Sequence, residues 1–132
     1  MVDTVNSYVL NNNGRRYVLR LTNESDGTGE SAVTKIDVST LTDANGVTAS
    51  YLAIDRIEYS VWGFNYLTLY FDADTDDELA VLSGQGVMDW SMEGGFVDPL
   101  STGTTGDIKL TTDGGADGSG YDITIWTRPK AS

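Results

Sequence analysis

The chain has 132 residues, one domain's worth, and a compact fold of that length has a radius of gyration of about 14 Å. Its 8 basic and 20 acidic residues give a net charge of -12, and it contains neither His nor Cys. Those zeros exclude disulfides, thiolate or imidazole metal sites, and Cys-based or His-assisted catalysis. The acidic balance argues against a nucleic-acid partner, because such affinity rests on Lys and Arg neutralising phosphates.

The first residues lack a basic stretch followed by an apolar one, so no secretory signal is read there. No apolar run reaches the roughly 20 residues of a membrane span. Helical periodicity is missing throughout, and apolar residues recur at every second position instead. Residues 1–12 are read as an arm or an edge strand, with Tyr8-Val9-Leu10 before the turn Asn11-Asn12-Asn13-Gly14. An Asn-Gly ending tolerates positive φ and favours a hairpin. Tyr17, Leu19 and Leu21 then share one face of the next strand.

After a polar, glycine-containing loop, Ala32, Thr34, Ile36 and Val38 alternate against Val33, Lys35 and Asp37. A longer strand runs from Tyr51 to Trp62. Ile57, Tyr59 and Val61 share one parity there, and Leu52 and Ile54 the other. That slip at Asp55-Arg56 predicts a β-bulge or a strand passing between sheets. Leu67, Leu69 and Phe71 point inward after Gly63, followed by a short strand or helical turn at Leu79-Leu82 and by pieces around Trp90 and Phe96. Trp90 is assigned to the core. Ile108 and Leu110, a Gly/Asp tip over 113–120, and Tyr121, Ile123 and Ile125 close the pattern. The prediction is a single all-β domain over 1–132. It is an antiparallel β-sandwich, jelly-roll-like, of about eight to nine strands and no substantial helix.

Asp72-Ala73-Asp74-Thr75-Asp76 begins like a calcium loop, since Ca²⁺ takes carboxylate oxygens from alternate residues. Asp77 stands where such a loop needs glycine, and Ser83 where the closing Glu belongs. Asp72, Asp74 and Asp76 are therefore read as a solvated turn, with a Ca²⁺ site completed from a distant loop as the alternative. No other cofactor is expected. The acids offer many pairings and mark none as buried or special, so the chain is read as non-enzymatic.

The aromatics carry more. Trp126 opposes Ile123 and Ile125 in parity, beside Arg128, and Tyr66 and Tyr70 oppose Leu67, Leu69 and Phe71. Outward Trp, Tyr and Arg side chains are the types enriched at interface hot spots. Trp126, Tyr66, Tyr70 and Arg128 are accordingly candidate partner contacts. So are Arg15 and Arg16 of the basic cluster near the amino end, with internal pairing to acids as the alternative.

The closing segment Gly106-Asp107-Ile108-Lys109-Leu110-Thr111-Thr112, its Gly-rich tip and Tyr121-Asp122-Ile123-Thr124 resemble the terminal hairpin of small virion structural proteins of tailed bacteriophages. Tyr59-Ser60-Val61-Trp62-Gly63 and Asp89-Trp90-Ser91 fit the same pattern, so the likeness spans roughly residues 50–128. The resemblance implies a capsid decoration (cement) protein: a β-sandwich or jelly-roll subunit, commonly a homo-oligomer such as a trimer. Such a subunit is made in the host cytoplasm and binds the major capsid protein on the capsid exterior. It implies no catalytic residue, nucleic acid or membrane. Two other functions suit the same sequence: a carbohydrate- or receptor-binding module of the tail, and a head–tail connector or tail subunit.

Overall fold

Nearly every alternating stretch becomes a strand in the computed structural model, which describes residues 3–131. The strands are β1 (Thr4–Asn12), β2 (Tyr17–Asp26), β3 (Val33–Ile36), β4 (Tyr51–Trp62), β5 (Tyr66–Phe71), β6 (Asp77–Leu82), β7 (Gly84–Asp89), β8 (Phe96–Val97), β9 (Ile108–Asp113) and β10 (Asp117–Lys130). The only helical pieces among the described residues are two three-residue 3-10 turns. No helix among them is long and apolar enough to cross a membrane.

The strands form two antiparallel sheets with a shared core, a β-sandwich. One sheet has the order β1-β2-β10-β4-β7, with β8 added beside β4, and the other β3-β9-β5-β6. Leu19, Leu21, Ile57, Tyr121, Ile123 and Ile125 point inward from the first sheet. They meet Ile36, Leu67, Leu69, Phe71, Ile108 and Leu110 from the second, and each of these twelve is at most 2% exposed. Burying such side chains contributes about 1.5–3 kcal/mol apiece before conformational entropy is counted.

Among the described residues ten strands stand where eight or nine are expected, the surplus including the two-residue β8. The slip at Asp55-Arg56 is a β-bulge: Trp126 sits opposite Arg56 and Thr127 opposite Ile54, so Asp55 is the extra residue. Parity therefore reverses, and Leu52, Ile54, Ile57 and Val61 all reach the core. The Asn-Gly turn joins β1 to β2, with Asn13 Oδ1 accepting from the Arg15 and Arg16 N–H groups at 3.0 and 2.9 Å. Gly63 turns β4 into β5 at φ 79°, where a Cβ would lie 2.3 Å from Ser119 Oγ. The expected terminal hairpin does not form among the described residues: β9 pairs with β3 and β5 and β10 with β2 and β4, so the Gly/Asp tip after Asp113 carries the chain from one sheet to the other.

One alternation reads differently. Ile36 and Val38 are buried as predicted, whereas Ala32 and Thr34 are exposed and the Lys35 side chain is buried. The cause is a second irregularity: β3 pairs with β9 at Thr34 and again at Ile36 and skips the residue between. Trp90 is half-buried at the core's margin, edge-on to Phe96, which is in turn edge-on to Phe71.

Candidate functional site

On β10 the residues alternating with Tyr121, Ile123 and Ile125 face outward, and the strand register sets their neighbours. Trp126 lies opposite Val18 on β2 and Arg56 on β4, and Arg56 lies opposite Asp89 on β7. The Arg56 guanidinium covers the Trp126 ring at 5.6 Å from its centroid. It also donates to Glu58 at 3.1 Å and lies 3.6 Å from Asp89. The Ser91 hydroxyl and N–H, with Arg56 beyond them, hold the Asp89 carboxyl below its usual range. Beside the Trp126 ring is an open depression of about 450 Å³, with Arg16, Arg56, Glu58 and Asp89 in its wall.

Arg20 clasps Asp122 through two bonds of 3.0 and 2.7 Å, which push the already basic guanidinium further up, and it also lies over Tyr8. Arg128, two residues beyond Trp126, is drawn to the bulge. Its Nε donates to both Asp55 carboxylate oxygens at 3.1 and 2.9 Å, and its Nη2 donates to the Gly94 carbonyl. Arg20, Arg56 and Arg128 on this face are each engaged by carboxylates of the same chain.

Trp126, Arg16 and Arg128 thus lie at one end of one face, Arg16 and Trp126 lining one depression. Arg15 is exposed in the β1–β2 turn. Tyr66 and Tyr70 lie elsewhere, on the outward parity of β5 in the other sheet. Tyr66 stands opposite Asp113, and Tyr70 between Lys109 and Glu78. Parity correctly puts these rings outside the core but divides them between opposite faces of the sandwich.

The acidic turn after β5 closes on a lysine. Lys109 Nζ lies 3.0 Å from Asp72 and 2.9 Å from Asp76, an ammonium held between two carboxylates of the calcium-like run. Hydrogen bonds from the Thr105 hydroxyl and Lys109 hold Asp72 below the usual carboxylate range, while Asp76 and Asp72 push Lys109 up. The Asp74 N–H donates to the Thr102 carbonyl.

Two features were not singled out as candidate sites. The first is β1, the edge strand expected for residues 1–12, exposed on all nine residues, with Val5, Tyr8, Val9 and Leu10 at 37, 48, 55 and 57%. Among the described residues it pairs only with β2, so one backbone edge is open. The sequence Thr4-Val5-Asn6-Ser7-Tyr8-Val9-Leu10-Asn11-Asn12 carries no charge, a signal visible in advance on so acidic a chain.

The second is a polar cluster between the sheets. Glu30 accepts from Lys35 and from the Tyr121 hydroxyl, and from Asn23 Nδ2 at 2.9 Å. Asn23 Nδ2 also donates to Asp3 at 3.0 Å. Burial, and then the Glu30 contact, push the Tyr121 phenol far above its ordinary value. Burial opposes ionisation of Asp3, but bonds from Asn23, Ser25 and the Gly29 and Asp26 N–H groups prevail and lower it. Nothing in the local spacing announces this cluster, because its members come from Asp3 ahead of β1, from β2, the β2–β3 loop, β3 and β10.

Comparison with known proteins finds no matching family model, no matching curated protein and no matching solved structure.

Proposed function

We propose that this chain is a non-enzymatic structural protein of a tailed-phage virion, a decoration subunit that binds the outer surface of the capsid shell and stabilises it. The observation carrying this reading is β1: a nine-residue, uncharged strand with exposed apolar side chains and one edge unpaired among the described residues. An open edge of this kind is a template for adding a strand from another chain, with main-chain hydrogen bonds giving affinity. The strand orders β2-β10-β4-β7 and β3-β9-β5-β6 support the jelly-roll part of the reading, with β1 appended outside the eight. The sequence resemblance of the closing segment, which spans β9 and β10, supplies the capsid protein as partner, a homo-oligomer such as a trimer as the assembled form, and the virion exterior as the location.

Mechanically, a cement protein bridges neighbouring capsomers, so its binding energy opposes their separation when packaged DNA loads the shell. Linked contacts reinforce one another through effective concentration. The high negative charge keeps such a protein soluble at high copy number and away from DNA.

Mixing purified protein with bare heads of the parent phage tests this. Binding at a copy number matching the capsomer junctions, with a rise in the heads' melting temperature, is the expected result. No binding, or far fewer copies per particle, removes the reading, and few copies confined to the neck or tail favour a connector or tail subunit.

The depression beside Trp126 favours a carbohydrate-binding alternative, since an aromatic ring flanked by carboxylates suits a sugar. Arg56 already covers that ring, which weighs against stacking. A glycan array without signal, together with a melting temperature indifferent to calcium, would remove the alternative.

A further inference from the structure

Glu30, Lys35 and Asn23 bring a carboxyl, an amine and a carboxamide together inside the sandwich. Glu30 is fixed through its backbone: its N–H donates to Thr112 Oγ1 at 2.9 Å, and its carbonyl accepts from the Thr112 N–H at 2.9 Å. The β3 irregularity accompanies Lys35's inward position, and Asn23 points inward from β2. One carboxylate oxygen of Glu30 takes the Lys35 ammonium, and the other takes Asn23 Nδ2. The Lys35 and Glu30 side chains are 3% and 5% exposed, and Asn23 is 1% exposed. Asn23 Oδ1 is buried with no hydrogen-bond partner among the described residues, a departure from the rule that buried polar atoms are satisfied.

We propose that this is a modification site at which Lys35 and Asn23 condense into an intramolecular isopeptide bond, with Glu30 as the proton carrier. A buried lysine that gives its proton to an adjacent carboxylate becomes a free amine, the nucleophilic form. Asn23 Oδ1 is untethered, so the amide turns its carbonyl toward protonated Glu30, which polarises it. Lys35 Nζ attacks Asn23 Cγ, and Glu30 carries the excess proton from Nζ to Nδ2. The Cγ–Nδ2 bond breaks, ammonia leaves, and Glu30 remains protonated. One C–N bond forms and one breaks, with no oxidant, reductant or cofactor. Tyr121 donates to the Glu30 oxygen that faces Asn23 and acts as a positioning residue. The bond joins β2 of one sheet to β3 of the other, a covalent tie across the sandwich.

Mass spectrometry of the purified full chain tests this. The intact mass is expected to be lower than the sequence mass by one ammonia. Trypsin is expected to pass over Lys35, leaving residues 21–56 as a single light peptide with no fragment ions from breaks between Asn23 and Lys35. Lys35→Arg and Glu30→Gln should each restore the full mass. A wild-type chain of full mass that is cut after Lys35 overturns the proposal, as does an ammonia-light chain still cut there, which marks a succinimide. A water-light chain resistant at Lys35 overturns the assignment to Asn23 in favour of a Lys35–Glu30 link. Loss of ammonia persisting in Glu30→Gln overturns the role of Glu30.

Discussion

The outward face around Trp126 and the strand β1 belong to the same sheet and treat charge in opposite ways. On the face, Arg20, Arg56 and Arg128 each meet a carboxylate of their own chain: Asp122, Glu58 with Asp89, and Asp55. On β1 there is no charge to pair, and its outer backbone edge has no neighbour among the described residues. A partner docking on the face would have to displace or desolvate existing pairs, which costs energy the new contact must recover. A partner docking on β1 meets open donors, acceptors and apolar side chains. Residue types pointed to the face, whereas the pairing points to the edge.

The largest effect is expected where a face pair is least exposed. Asp55 is 8% exposed in the bulge, and Arg128 is its cation. Arg128→Ala strands that carboxylate and removes the bond to Gly94, and should lower unfolding stability by about 2 kcal/mol. Urea unfolding measures it. A change within about 0.5 kcal/mol, the range of an ordinary surface substitution, would mean that the bulge does not depend on its ion pair.

A carboxylate with no salt bridge among the described residues sharpens the point from the other side. Asp98 is 3% exposed, and burial raises its carboxyl above the usual range, with the nearby Asp77 charge adding to the effect. A raised folded-state value means that stability is fullest below the unfolded value of 3.8 and falls as pH climbs through the folded one. Asp98→Asn keeps an oxygen for the Leu100 N–H bond of 2.8 Å and removes the charge. It should stabilise the fold by about 1 kcal/mol at neutral pH, with the gain fading toward pH 3.8. Melting temperatures of both proteins across that interval check it, and a gain independent of pH would show that charge is not the cause. Asp3 and Asp72 run the other way: their lowered values add stability above 3.8 that is lost as acid takes pH through the folded values.

How much was legible in the sequence follows from the range of each signal. Alternation is local, so the inward sets Leu19/Leu21, Leu67/Leu69/Phe71 and Ile123/Ile125 were readable. So was the bulge at Asp55, because apolar residues on both sides of it break parity. At Lys35 the same kind of irregularity places a charged side chain inward, and no apolar residue flags it. Parity told that Tyr66, Tyr70 and Trp126 face away from the core, but it holds no information about which sheet a strand joins. The calcium-like run failed as a motif on its own spacing, while the cation it does hold, Lys109, arrives from a strand far along the chain.

Trp126→Ala tests the face directly. The ring is half-buried and lies under Arg56, so its loss should cost about 1 kcal/mol of stability while Arg56 keeps Glu58. If the edge is the contact, head binding by this variant stays within about twofold of the parent, well below the tenfold that 1.4 kcal/mol would give. A loss of binding far beyond the loss of stability would move the contact back to the face.

The smallest effect on folding and the largest on contact should coincide at Val9→Lys. Val9 lies opposite Leu19, on the parity that faces the core elsewhere in the sheet, yet it is 55% exposed, so the second sheet does not cover it. The substitution leaves the β1–β2 backbone pairing possible and should shift stability by less than about 0.5 kcal/mol. It also places a Lys on an open edge, the device by which natural sheets discourage strand addition. Binding to heads, and any self-association seen by sedimentation, should then fall at least tenfold while the unfolding curve overlays that of the parent. A variant that binds as before would mean that β1's open edge is not the docking edge, and the uncharged strand would need another explanation.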